Sequence, residues 1–414
     1  MASFMDWTWG EVLQKPDEKW KHWHSMRARD QARRVGAKSA RKTLKLRQSH
    51  IVELWDGEEI QQAICTREPI CPPSELCLHN NKIETLKFLS ELRERLAIKL
   101  KDGLPEKRVW LRKNPQEGRL PRIGVYSDYS KIDRISTSAA VILASEYDRA
   151  GRIMGSVPPA IDIHKWSEGA FTTLFELGFF DLIGHTGKQR ERYESITRGN
   201  TLTLRMRSGE NGNQLEPVSD AVVELVGFIN NGSEAIAEQL IPLNTAIGEA
   251  MINVRRHAYQ EPFEPRQAYV PRWWFTASAD RASRRITAVL YDQGATIPVT
   301  LPKHKNWFDW IVNALAGEAR CEPGTERRLQ NLLSDDEAIR YAMREGTTQT
   351  DEPGRGKGLP QMLKLIGSYG AGDLMVMSRN GLFKFGSDAG TYQELLPYSI
   401  GGTLVEWEIE VPSK

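Results

Sequence analysis

The sequence predicts an α/β protein of two domains behind a basic arm, and three observations carry that expectation. Its 414 residues amount to roughly two to three domains at about 150 residues each. Hydrophobic residues make up 40% and charged residues 27% of the chain, a balance that excludes wholesale disorder and collagen-like or coiled-coil architecture. Short apolar pieces with strand character alternate with stretches of helical period, as an α/β layer requires.

The arm comes first. Between Lys19 and His50 eleven Lys or Arg face one acid, Asp30, so the stretch carries +10 and the remainder −8 against a total of +2. Trp7, Trp9, Trp20 and Trp23 precede or interleave these charges. The plain reading of residues 1–69 is a solvated, basic, helical extension that packs its Trp residues on the body. The sharper reading is a nucleic-acid contact through residues 19–50, which would grip phosphates.

No run approaches the roughly 18 apolar residues that span a bilayer, and residues 1–10 lack a basic region followed by an apolar one. A cytoplasmic protein with no membrane partner is expected. Cys65, Cys71, Cys77 and Cys321 are too scattered for a disulfide framework. Cys71, Cys77 and His79 match no common structural zinc spacing.

The first domain is expected over residues 70–215. Ile83, Leu86, Leu89, Leu92 and Leu96 recur with a helical period. Residues 122–126 and 132–135 are short apolar pieces, and the small residues of 138–147 suit a helix packed tightly on a sheet. Residues 202–207 alternate as a strand and run into a polar turn at 208–214, near a domain boundary.

The second domain, residues 216–414, holds the chemistry. Ile236, Leu240, Leu243, Ile247, Met251 and Val254 form the apolar stripe of a long helix over 235–259. Glu249, Asn253 and His257 follow at intervals of four, each about 40° round from the last, on one helical face. A carboxylate and a carboxamide one turn apart can divide labour at a metal nucleotide: the Asn253 oxygen coordinates Mg2+ and Glu249 orients or deprotonates the group that attacks the γ-phosphate. Two strands, 273–278 and 286–291, lead into Asp292-Gln-Gly294, where the Asp can accept from an adenine amino group and Gly294 admits close backbone approach. Gly354-Arg355-Gly356-Lys357-Gly358 precedes a helix-like stretch, so its amides can wrap phosphates. A Gly401-Gly402-Thr403 turn enters the last strand.

Taken in order, these boxes resemble the N, G1, G2 and final-strand motifs of the GHKL ATPases, the superfamily of gyrase, heat-shock chaperones, mismatch-repair ATPases and histidine kinases. The resemblance implies an α/β sandwich, a mixed sheet with helices on one face, with ATP and Mg2+ bound and residues 299–353 as the ATP lid. It implies Glu249 as general base, Asn253 as Mg2+ ligand, Asp292 with Gly294 as adenine reader, Gly354 to Gly358 as phosphate loop, and Thr403 as support of the adenine pocket. Thr296 stands where a second G1 glycine is usual. The ending His257-Ala-Tyr259 looks most like the anti-sigma-factor serine kinases. Upstream, residues 128–139 resemble the signature of STAS domains, the antagonists those kinases phosphorylate, and residues 175–183 look like their hydrophobic C-terminal helix. On that register Thr137 takes the place of the phospho-acceptor, while the plainer reading has Ser136, Thr137 and Ser138 capping a helix. The expectation is a prokaryotic regulatory, signalling or defence switch that hydrolyses ATP or transfers its γ-phosphate. The alternative is a nucleotide-gated interaction module with little turnover. A protein partner of unspecified identity and a homodimer fit either.

Overall fold

The computed structural model describes residues 22, 25–27, 29–34, 36, 50–55, 60–65, 70–101, 104–106, 109–112, 120–124, 128–184, 186–196, 199–210, 216–230, 237–260, 267–303, 333–343, 362–363, 366 and 372–411. His50–Trp55 (β1) and Ile60–Cys65 (β2) form an antiparallel hairpin. Val52, Leu54, Ala63 and Cys65 alternate into its small core. This hairpin lies inside the stretch expected to be a helical extension. Helix occurs there among the described residues from 22 to 36, whereas the period-2 pattern of 50–55 suits a pleated strand.

Glu75–Leu76 (β3) precedes Lys82–Arg95 (α1), a helix on the period read from the sequence. Five further strands are two residues each: Leu100–Lys101 (β4), Leu104–Pro105 (β5), Leu111–Arg112 (β6), Arg122–Ile123 (β7) and Arg134–Ile135 (β8). Strand β7 extends the N-terminal hairpin by parallel pairing with β2, and β3 pairs in parallel with β8. Thr137–Met154 (α2) starts at Ser136, whose hydroxyl accepts from the Ala139 amide at 3.3 Å. The cap is therefore Ser136, as the plainer reading had it. Glu168–Leu177 (α3) ends at Gly178, whose φ of 87° only glycine adopts freely, and Phe179–Leu182 (α4) restarts in a new direction. The hydrophobic helix expected over 175–183 is thus two helices. Thr186–Ser195 (α5) completes this layer.

Thr201–Thr203 (β9) and Arg207–Gly209 (β10) divide the strand expected over 202–207. Both halves pair with one neighbour. The interruption has a cause: the Met206 amide donates to the Leu177 carbonyl at 2.8 Å and the Thr276 hydroxyl to the Leu204 carbonyl at 2.6 Å, so two ladder groups are taken elsewhere. Glu216–Ile229 (α6) and Ala237–Asn253 (α7) follow, then Trp273–Asp280 (β11), Arg285–Asp292 (β12), Ile297–Thr300 (α8) and Asp335–Ala342 (α9). Gly372–Ser378 (β13), Gly381–Gly386 (β14), Gly390–Leu395 (β15) and Thr403–Glu410 (β16) close the sheet.

Among the described residues the large sheet has eight strands, in the order β10-β11-β12-β16-β13-β14-β15, with β9 also on β11. All its pairings are antiparallel. One face carries Phe275, Leu290, Val376 and Trp407, packed with α6, α7, Ile339 and Met362. The opposite face carries Trp274, Tyr291, Met377 and Leu404, packed with α1 to α4. These findings correct the expected mixed sheet with helices on one face. Helices cover both faces because the strands are apolar on both, and an uncovered face would leave that surface in water. The helices of 82–182 and the sheet of the C-terminal half therefore share one core.

Trp274 ties that core together. It is fully buried, and its indole N–H donates to Asp148 Oδ2 of α2 at 2.8 Å. Trp274→Ala should destabilise the protein by about 3–5 kcal/mol, and urea unfolding followed by circular dichroism should show the helices and the sheet lost in one earlier transition. A helical layer that melts separately would divide the core. A second contact is pH-sensitive. His79 Nε2 is hydrogen-bonded to the buried Glu406 of β16, and that bond raises the imidazole pKa above 6.5 despite burial and the nearby Lys384 ammonium. The stabilisation is full below pH 6.5 and is lost as pH rises through the raised value. The melting-temperature advantage of wild type over His79→Gln should therefore shrink with rising pH across that window.

Candidate functional site

Three polar side chains end three neighbouring strands at one level. Asp292 of β12 stands opposite Thr403 of β16, which stands opposite Ser378 of β13. All three alternate onto the face covered by α7, because Leu290, Val405 and Val376, two residues from each, pack there. The Thr403 and Ser378 hydroxyls are 2.9 Å apart, and Ser378 Oγ also accepts from the Ile297 amide at 2.9 Å. Asp292 is 4% exposed, and among the described residues its carboxyl takes one hydrogen bond, from the Gly294 amide at 2.9 Å. Burial pushes its pKa up to about 7 against the partial relief that this bond supplies. A carboxylate so desolvated and so little satisfied has acceptor capacity for an incoming donor.

The helix end comes to this turn. After Asn253, α7 widens into a π-helical turn, Val254–Ala258, a form frequent at functional sites. The Ala258 carbonyl accepts from the Ala295 amide at 2.6 Å, and Tyr259 Oη accepts from the Gln293 amide at 3.0 Å while donating to the Arg272 carbonyl at 2.7 Å. A Cβ on Gly294 would collide with the Ala258 carbonyl, and one on Gly402 with the Asp292 carbonyl. Gly294, read from the sequence as an opening for a base, is thus also demanded by the helix end behind it. Glu249 and Asn253 are half-buried on the same helix, one turn apart, with Asn253 its last α-helical residue before the π turn. His257 lies within the π turn.

Asp292, Gly294 and Thr403 are therefore brought together, with the helix of Glu249 and Asn253 ending on the same turn. Gly354, Arg355, Gly356, Lys357 and Gly358 lie outside the described residues. Met362 and Ile366, which follow Gly358 in the chain, are helical and buried on the α7 face of the sheet. Of the expected lid, residues 299–303 and 333–343 are described, and Ile339 and Met343 pack on the same face. Thr137 is elsewhere, on the opposite face, where its hydroxyl is 2.6 Å from Ser278 Oγ of β11. Ser378 was not singled out in the sequence. Its signal was a hydroxyl at the end of the alternation Leu374, Val376, Ser378.

Behind the turn is a buried charge cluster that the sequence did not mark. Glu146 of α2, wholly buried, accepts from Arg93 Nε at 2.8 Å, Arg149 Nη2 at 2.7 Å and Gln293 Nε2 at 3.0 Å. Burial acts to raise its pKa, but Arg149 and Arg93 outweigh burial and hold it below the ordinary value. On the same face His79, Glu406 and Glu408 bring three ligand-type atoms within 4.8 Å of one another. Glu406 is bonded to His79 and Glu408 to Arg285, with Lys384 Nζ 3.4 Å from His79 Nδ1. Cations already neutralise these carboxylates, so the group is an ion network. Cys71 is exposed and Cys77 Sγ accepts from the His79 amide at 3.4 Å.

Comparison of the chain with protein-family models, with curated proteins and with solved structures finds no match. Among the described residues no helix is long and apolar enough to cross a membrane.

Asp292 makes a measurable statement about pH. Its folded pKa stands at about 7 against an ordinary 3.8, so the fold favours the protonated carboxyl and stability falls as pH rises between those values. Asp292→Asn should flatten that part of the stability profile in chemical denaturation and be the more stable protein above pH 7.

Proposed function

We propose that the chain is a Mg2+-dependent ATP-binding protein of the GHKL type that hydrolyses ATP or transfers its γ-phosphate within a regulatory switch. One observation carries the reading: a buried, under-satisfied Asp292 stands in a row with Thr403 and Ser378, on a turn clasped by the end of the helix that bears Glu249 and Asn253. Ionised Asp292 accepts from the adenine amino group, and the Thr403 and Ser378 hydroxyls line the same pocket floor. The triphosphate then runs back along α7 toward Asn253 and Glu249. Mg2+, when bound, neutralises charge on the β- and γ-phosphates. The Asn253 carboxamide oxygen would hold it, a hard donor suited to a hard cation. Glu249 orients the attacking hydroxyl, of water or of a Ser/Thr side chain, and takes its proton. Gly354 to Gly358 supply amides to the phosphates. For phosphotransfer Thr137 is the acceptor the sequence suggests, and it must first leave its bond to Ser278.

The nucleotide-gated module with little turnover is the alternative, and the core shared by the helical layer and the sheet favours keeping it in view. Incubation with Mg2+ and γ-labelled ATP, following free phosphate and label on protein, decides among these. Glu249→Ala should retain ATP binding and lose turnover by about 100-fold or more, and Asn253→Ala should weaken Mg2+-dependent binding. ATP affinity should also strengthen as pH rises through about 7, as Asp292 ionises. Label that vanishes in Thr137→Ala marks an internal acceptor; binding without turnover marks the gated module; absence of ATP binding removes the nucleotide reading.

A further inference from the structure

The turn that carries Asp292 faces two ways. Asp292 alternates toward α7, so the next side chain, Gln293, points through the opposite side of the sheet. There its amide nitrogen donates to Glu146 Oε1 at 3.0 Å. Glu146 belongs to α2 and is salt-bridged to Arg93 of α1 through the same oxygen. Arg93 in turn donates to the carbonyls of Ile400 at 2.6 Å and Ser399 at 3.4 Å, immediately before the Gly401-Gly402-Thr403 turn. Gly401 sits at φ 81°, and a Cβ there would strike the Arg93 guanidinium. Arg149 takes the other oxygen of Glu146 and donates to the Ala268 carbonyl at 3.1 Å. One buried ion pair thus spans both loops that set the level of Asp292 and Thr403, and it is built from helices packed on the opposite face of the sheet.

We propose that Glu146 is a positioning residue for the base end of the nucleotide site, acting through Gln293 on the Asp292 turn and through Arg93 on the Thr403 turn, so that the helical layer α1–α2 and nucleotide occupancy are thermodynamically linked. The proposal rests on the nucleotide reading of the site. Its logic is geometric. The turn is also held by the Ala295–Ala258 and Gln293–Tyr259 bonds, which fix it to the α7 side. The Gln293–Glu146 bond fixes it to the opposite layer, and so relays any rotation of α2 into the direction of the Asp292 side chain. Linkage is reciprocal: the effect of the helices on ATP affinity equals the effect of ATP on the helices.

Glu146→Gln leaves two guanidinium groups short of a buried counter-charge and is a poor first variant, since loss of fold would mimic loss of function. Gln293→Met keeps the side-chain length, leaves the Glu146–Arg93–Arg149 cluster intact, and removes the carboxamide that reaches Glu146 and Tyr291. Titration with ATP and with GTP, and amide hydrogen exchange over residues 82–95 and 137–154 with and without ATP, form the test. The expected result is that Gln293→Met weakens ATP by about tenfold and GTP less, so that base preference falls, and that ATP slows exchange in both helices of wild type but not of the variant. A melting temperature of the ligand-free variant near that of wild type separates positioning from general stability. If wild type binds ATP while the variant matches it in affinity, base preference and helix protection, the positioning role is overturned and the nucleotide site stands. If wild type binds neither nucleotide, both fall together.

Discussion

Everything in this molecule depends on burying both faces of one antiparallel sheet. Antiparallel sheets often keep a wet face, but here Trp274 and Trp407 are fully buried on opposite sides of it. A sheet with two dry faces must be covered twice. The C-terminal half supplies one cover, α6 and α7, and the N-terminal half supplies the other, α1 to α4. The site at the sheet end is consequently framed from both layers. A polar group at that level is either satisfied within the layers or bears the cost of desolvation, and Asp292 is the case in point.

The buried charges obey the same constraint. Removing Glu146, Arg93 and Arg149 from water opposes folding by several kcal/mol per ion, and their mutual attraction offsets this only through good geometry and complete hydrogen bonding. The cluster meets the second condition at most of its donors, which reach Ile400, Ser399 and Ala268 carbonyls as well as the carboxylate. Apolar residues of similar volume would pack there without that desolvation. An apolar replacement would lack direction: a carboxylate between two guanidinium groups fixes where each loop carbonyl and the Gln293 amide must lie.

Much of the C-terminal half was legible in the sequence because its periods are strong. The runs that became β11 and β12 are rich in apolar residues, the one that became β16 alternates apolar residues with Glu406, Glu408 and Glu410, and the stripe from Leu240 to Val254 read as the helix it is. Asp292 and Thr403 were visible as polar residues at strand ends. Their register partnership joins residues 111 apart in the chain, 292 and 403, and the membership of Ser378 joins residues 25 apart, 378 and 403, and no local period encodes such pairing. The N-terminal half was harder. Its strands are mostly two residues long, too short for alternation to show, and its helices were read as belonging to a sheet of their own when they cover another segment's. Glu146 was invisible for a related reason: within Ala-Ser-Glu-Tyr-Asp-Arg-Ala it looks like one charge of a solvated helix face, and only the tertiary fold removes it from water.

The π-helical turn at Val254–Ala258 gives the helix end a phase of its own. Each residue added to or taken from an α-helix swings the downstream chain by about 100°. With the wider turn, the Ala258 carbonyl meets the Ala295 amide and the Tyr259 hydroxyl meets Gln293 and Arg272. Shortening the segment by one residue would leave a regular helix of nearly unchanged composition and burial, yet aim those two groups at different neighbours. Chain length between Asn253 and Tyr259 is therefore under a tighter constraint than the identity of the exposed Arg255 and Arg256 within it.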